Sequence, residues 1–266
     1  MKIGIGLPNT TPEAGGELLV EWARRADAGP FHSVAVLDRL AYGGFEPFVS
    51  LAAAAAVTER VRLATMIAIG PLRSPAMLAK QADSVRRLAC GRFTLGLGVG
   101  GRRDDYEVAG VEHRTRGARL SEQLALLRTE HPELELLVGG ASGPAFARMA
   151  RYADGYAHGG GPPRAFASAA ARARAAWSDL GRPGRPLLWG QGYFALGDPE
   201  RGTGYLRDYY AFTGPFAEKI AAGNLTSARA VKDFVRGYAA EGCDELVLLP
   251  TVSDLAELDR LAEVLA

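Results

Sequence analysis

Few residues of this 266-residue chain are placed for chemistry, and those few stand beside glycines or at the ends of apolar runs. Val36-Leu37 runs into Asp38-Arg39, a charged pair that is either a rim salt bridge or part of a site. His158 ends another such run just ahead of Gly159-Gly160-Gly161, so its imidazole is either structural or projects from a strand end. Asp38, Arg39 and His158 are the catalytic candidates. Val138-Gly139-Gly140-Ala141-Ser142-Gly143 leads into a helix at Pro144. Free backbone amides and the positive end of a helix dipole converge there beside the Ser142 hydroxyl, which fits an anion site as well as an ordinary serine cap. Gln191 sits in Trp189-Gly190-Gln191-Gly192, where alternating glycines leave space.

Absences narrow the chemistry. His32, His113, His131 and His158 lack metal-ligand spacing, so no metal site is expected. There is no G-x-S-x-G elbow, Walker loop or paired-carboxylate motif. An enzyme so short of acids, bases and nucleophiles leaves the difficult step to a cofactor.

The elements that must position these residues alternate strictly. Strands are predicted near 3–7, 33–38, 62–69, 92–99, 134–139, 154–158, 187–195 and 245–249. Helices are predicted near 15–28, 46–57, 75–89, 116–128, 143–152, 163–180, 227–241 and 254–265. Most strands are unbroken apolar runs, as parallel strands covered on both faces require. Eight such units without a linker predict a (β/α)8 TIM barrel occupying 1–266 as a single domain. In the unit from Arg73 to Gly100, Leu78, Ala82, Val85 and Leu88 form a helical face, and Gly91 supplies the stop. Phe93, Leu95, Leu97 and Val99 then alternate with Thr94, Gly96, Gly98 and Gly100, leaving one face bare for a flat ligand or a backbone. Insertions at 101–116 and 197–226 leave the C-terminal strand ends, where barrel enzymes build their sites. The second carries Tyr205, Tyr209, Tyr210, Phe212 and Phe216, either as core or as a lid; Gln191, Tyr209 and Phe212 are the substrate candidates.

Net charge is +1 with both signs interspersed, which selects neither nucleic acid nor a membrane surface. A small molecule is the expected partner. No apolar run reaches the ~18–20 residues of a membrane span, and the strand-like opening Lys2–Leu7 has no signal-peptide core, so a cytoplasmic location is expected. Cys90 and Cys243 lack partners and are expected to line the core as small thiols.

Arg73-x-Pro75-x-x-Leu78-Ala79-Lys80, Leu88, Gly91-Arg92 and Leu95-Gly96-x-Gly98-x-Gly100 resemble the strand-3 to strand-4 region of the luciferase-like family of flavin-dependent enzymes, closely over residues 61–110. That resemblance implies the luciferase-like barrel and a ring supported by Gly96, Gly98 and Gly100. It implies a phosphate loop at Gly139, Gly140, Ala141, Ser142 and Gly143, with Tyr152-Ala153-Asp154-Gly155 after it. It further implies a backbone bulge at Ala68, Ile69 and Gly70, often with a non-prolyl cis peptide, behind an isoalloxazine ring. Arg73 either reaches the cofactor phosphate or merely caps the loop that follows Gly70. The family often carries Asp-His where this chain has Asp38-Arg39, and arginine cannot exchange protons near neutral pH. Arg39 can instead stabilise a reduced-flavin anion or bind an anionic substrate.

The expected function is an FMNH2-using monooxygenase acting on a small organic substrate, with reduced FMN as cofactor. The alternatives are an F420-dependent oxidoreductase and a non-catalytic flavin-binding protein. Candidate partners beyond the substrate are a flavin reductase and a second copy of the chain.

Overall fold

Eight apolar runs become strands in the computed structural model, which describes residues 1–266. They are β1 (Lys2–Gly6), β2 (Ser33–Val36), β3 (Arg62–Ile69), β4 (Phe93–Gly98), β5 (Glu135–Gly139), β6 (Gly155–Ala157), β7 (Leu187–Phe194) and β8 (Glu245–Pro250). Each pairs in parallel with the next, and β8 returns to β1 (Ile3 opposite Leu246), closing the barrel. The helices are α1 (Gly16–Ala28), α2 (Pro47–Ala55), α3 (Pro75–Leu88), α4 (Arg103–Val108), α5 (Arg116–Glu130) and α6 (Gly143–Tyr152). They continue as α7 (Pro163–Asp179), α8 (Pro199–Tyr209), α9 (Phe216–Ala221), α10 (Ala228–Ala240) and α11 (Leu255–Leu265). The two insertions therefore hold α4, α8 and α9.

Local chemistry sets these boundaries. Ser74, Ser142, Ser227, Asp198 and Asp254 accept backbone amides at helix starts. After α3 the chain turns through Cys90 and Gly91, both at positive φ (49° and 83°), a conformation that glycine tolerates and cysteine rarely adopts. That turn exposes Cys90, contrary to the expectation of a core thiol, whereas Cys243 is buried.

Two apolar layers hold the barrel. The larger, between strands and helices, includes Trp22, Phe31, Phe166 and Tyr238; the smaller fills the interior with Ala35, Ala64, Met66, Leu137, Trp189 and Val247. Burial stabilises by roughly 1.5–3 kcal/mol for each large apolar side chain. The glycines of β7 belong to the outer layer: a Cβ at Gly190 or Gly192 would strike the ring of Tyr238 or Phe234 from α10. The space they leave is filled by helix side chains, not by a ligand. No helix is long and apolar enough to cross a membrane.

Candidate active site

The C-terminal mouth of the barrel holds a cavity of about 380 Å³, toward the small end of ligand pockets. Its floor comes from an irregularity in β3. The β3–β4 register shifts between Thr65 and Ala68, and the Met66–Ile67 peptide is cis. Met66, Ile67 and Ile69 then line the cavity. The bulge thus falls two residues earlier than expected, and only Ile69 of the Ala68–Gly70 group reaches the cavity. Ala68 is buried in the outer layer, and Gly70 faces α5, where the Gln123 side-chain amide donates to its carbonyl at 2.9 Å.

The bare face of β4 receives this bulge. A Cβ at Gly98 would overlap Ile67 Cδ1, one at Gly139 would meet the same atom, and one at Gly96 would strike the Thr65 carbonyl. A Cβ at Gly100 would come within 2.9 Å of Ile69. Gly96 and Gly98 consequently do not line the cavity; they act one layer below it, by seating the residue that does. Gly100 and Gly139 line it directly.

Asp38 anchors the bulge from β2's end. Its Oδ2 accepts the Ile69 amide at 2.8 Å and pairs with Arg73 Nη1 at 2.7 Å. Burial raises the Asp38 carboxyl above its ordinary range, and the Arg73 guanidinium and the Ile69 amide oppose that rise. Arg73 also reaches Glu46 at 2.7 Å, so it braces β2, β3 and α2, and none of its hydrogen bonds goes to the Gly140–Gly143 loop. Arg39 turns the other way: its Nε donates to Asp105 at 2.8 Å and its Nη2 to Asp104 at 3.1 Å. Asp105 is fully buried and also accepts the amides of Leu40 and Ala41. The Asp38-Arg39 pair is therefore two separate buried ion pairs, each locking a loop at the mouth.

The loop after β5 fits an anion. Gly140 takes φ +124°, and the amides of Ala141 and Ser142 donate to no other backbone carbonyl. Ser142 caps α6 weakly, accepting Ala145 N at 3.4 Å. Arg172 donates to the Ala141 carbonyl at 2.9 Å and adds a positive charge alongside. Gly140 and Ala141 line the cavity, whereas Ser142 and Gly143 lie exposed at its rim. Free amides at a helix start beside a cavity can hold an anion.

On the opposite wall, both ring nitrogens of His158 are buried without a partner, and burial lowers its pKa, so the imidazole is neutral at pH 7. Gln191 Nε2 donates to the Gly159 carbonyl at 3.2 Å and steadies the glycine turn behind it. The roof comes from the second insertion. Tyr205 is buried and bonded to Thr10 at 2.8 Å, while Tyr209, Tyr210 and Phe212 line the cavity. The tyrosine run thus divides into core and cap.

Arg102, in the insertion after β4 and not among the residues expected from the sequence, also lines the cavity. Its guanidinium lies 4.1 Å from the Phe212 ring centroid and 4.9 Å from that of Tyr209. Its position directly after the glycine-rich strand end was the available signal.

Residues 1–133 match the family model for luciferase-like monooxygenases. The uncharacterized protein Rv0940c of Mycobacterium tuberculosis is 37% identical over 142 residues, covering 44% of this chain and 49% of that protein. The F420-dependent glucose-6-phosphate dehydrogenase of Kribbella flavida is 35% identical over 139 residues, covering 48% of this chain and 41% of the enzyme. These alignments thus span about half the length of the curated relatives or less. Among solved structures, an F420-dependent secondary alcohol dehydrogenase in complex with an F420-acetone adduct superposes with a TM-score of 0.81. That match has 16% identity and covers 99% of this chain and 97% of that one, a likeness of fold.

Proposed function

The chain belongs to the luciferase-like monooxygenase family, and from that premise we propose that it moves an electron pair between a flavin-type cofactor and a small organic substrate at the barrel mouth. One observation carries this reading. The β3 bulge makes an apolar platform of Met66, Ile67 and Ile69, and the loop after β5 presents free amides at the rim of the same cavity. An extended molecule with a flat ring and a phosphate on its side chain satisfies both.

When bound, such a cofactor supplies a two-electron donor or acceptor at its ring. The protein does the rest. Ile67, seated on Gly98 and Gly139, supports one face of the ring and keeps water from it. Asp38 and Arg73 fix that platform, so they position rather than react. Ala141, Ser142 and Gly143 hold the phosphate. Neutral His158, with both ring nitrogens buried and unpartnered, is the base that takes the proton released when a substrate hydroxyl is oxidised, and the imidazolium so formed returns it in the reverse direction. Arg39 keeps its charge, is paired with Asp105, and exchanges no proton near neutral pH.

Similarity to the Kribbella flavida enzyme supports F420 as the carrier, with hydride transfer as the reaction. FMN-dependent monooxygenation is the second reading, favoured by the cap of Tyr209, Tyr210 and Phe212, which shields the mouth from water. Anaerobic incubation of the protein with oxidised F420 and a panel of small alcohols and hydroxy acids separates them. Bleaching of the F420 absorbance without oxygen supports hydride transfer. Substrate oxidation that requires both FMNH2 and O2 supports monooxygenation, and inactivity in both assays contradicts an enzymatic role.

A further inference from the structure

Two guanidinium N–H groups at the cavity roof have no acceptor: Arg102 Nη2 and Arg39 Nη1 are both buried and unpartnered. Their surroundings differ. Arg39 is neutralised by Asp105 and Asp104 at 2.8 and 3.1 Å. Arg102, only 9% exposed, has as its nearest carboxylate the same Asp104, at 4.0 Å from Nη1 and already shared with Arg39. Asp104 is itself half-exposed. Burial and the neighbouring Arg39 charge press the Arg102 pKa below its ordinary value, with Tyr209, Asp104 and Asp105 opposing only in part. A buried guanidinium without a close carboxylate is costly; the Phe212 and Tyr209 rings offset part of that cost, and a carboxylate in the cavity would offset more.

We propose that Arg102 is the recognition residue for the carboxylate of a small organic acid with an apolar body. This rests on the mouth cavity being the active site and names the substrate class for it. The fork of N–H donors matches two carboxylate oxygens. Phe212, whose ring centroid lies 4.1 Å from the guanidinium, is itself half-exposed. Tyr209, Tyr210 and Phe212 supply the apolar wall for the rest of the molecule. The cavity must also hold a cofactor ring, which restricts the acid to a small one. Arg102 follows β4 and the anion loop follows β5, and both line this cavity, so competition between phosphate and carboxylate is part of the test.

Calorimetric titration of the purified protein with benzoate, benzamide and inorganic phosphate tests this, with F420 and FMN titrated in parallel. Benzoate should bind the wild type, Arg102→Gln should weaken it at least tenfold, and Arg102→Lys should recover most of the loss. Ser142→Asp should leave benzoate affinity unchanged while weakening the cofactor. Benzoate affinity unchanged in Arg102→Gln, benzamide binding as tightly as benzoate, or no benzoate binding by the wild type overturns the proposal. Loss of benzoate binding in Ser142→Asp, or phosphate outcompeting benzoate at Arg102, overturns it too. Failure of F420 and FMN to bind while benzoate binds would strike the cofactor reading and leave the carboxylate site standing.

Discussion

The side chain of Ile67 occupies the volume that a side chain at Gly98 would need, so the bulge of β3 and the bare face of β4 are two halves of one feature. A residue of any size at Gly98 must displace the cavity floor.

Gly98→Ala should therefore destabilise the protein by about 1–3 kcal/mol, the usual range for overpacking, and weaken cofactor binding through the displaced Ile67. Removing the obstacle should restore room. In a double-mutant cycle with Ile67→Ala, the two losses should fall short of additivity by at least 0.5 kcal/mol. Urea unfolding of the four proteins measures this, and strict additivity would show that the two residues do not share the space.

Asp38→Asn removes the partner of a mostly buried Arg73 and weakens the acceptor of the Ile69 amide. Breaking such a pair from one side costs about 3 kcal/mol or more, although Glu46 retains part of the Arg73 interaction here. Asp38→Asn combined with Arg73→Gln should cost less than the sum of the single changes. A single Asp38→Asn as stable as wild type would show the pair to be ornamental.

The pH dependence of stability follows from His158 and His113, both lowered in pKa by burial, with Arg116 and Arg103 adding to the effect at His113. In the unfolded chain an imidazole binds its proton near pH 6.5. As pH falls through that value the unfolded state takes up protons that the folded state refuses, so stability declines toward the depressed folded pKa values. Above about pH 6.5 the stabilisation is complete. Melting temperatures between pH 7.5 and 5 should fall, and His158→Gln should flatten part of that slope. An unchanged slope in His158→Gln would assign the dependence to other groups.

The architecture was readable because each βα unit is a local pattern. All eight strands lie within one or two residues of their predicted bounds, and Gly91, Ser142 and the glycines before α6 act where composition places them. What sequence could not show is pairing across distance. Arg73 lies 35 residues from Asp38 and Asp105 lies 66 from Arg39, and no local period links them. The bulge was displaced by two residues because its position depends on which β3 side chain the β4 glycines accept. Arg102 escaped notice because its importance lies in a partner it lacks, and α4 is too short to announce itself by periodicity.

The central claim, a flavin-type ring on the Ile67 platform with its phosphate at the Gly140–Gly143 loop, is tested most directly by equilibrium binding of F420 and FMN. Wild-type protein and Ser142→Asp should be titrated side by side, following cofactor fluorescence. Saturable binding of one cofactor by the wild type is predicted. Ser142→Asp should weaken it roughly thirtyfold, or about 2 kcal/mol, the scale of a charge-assisted hydrogen-bond site. Binding of neither cofactor, or equal affinity in both proteins, would contradict the account.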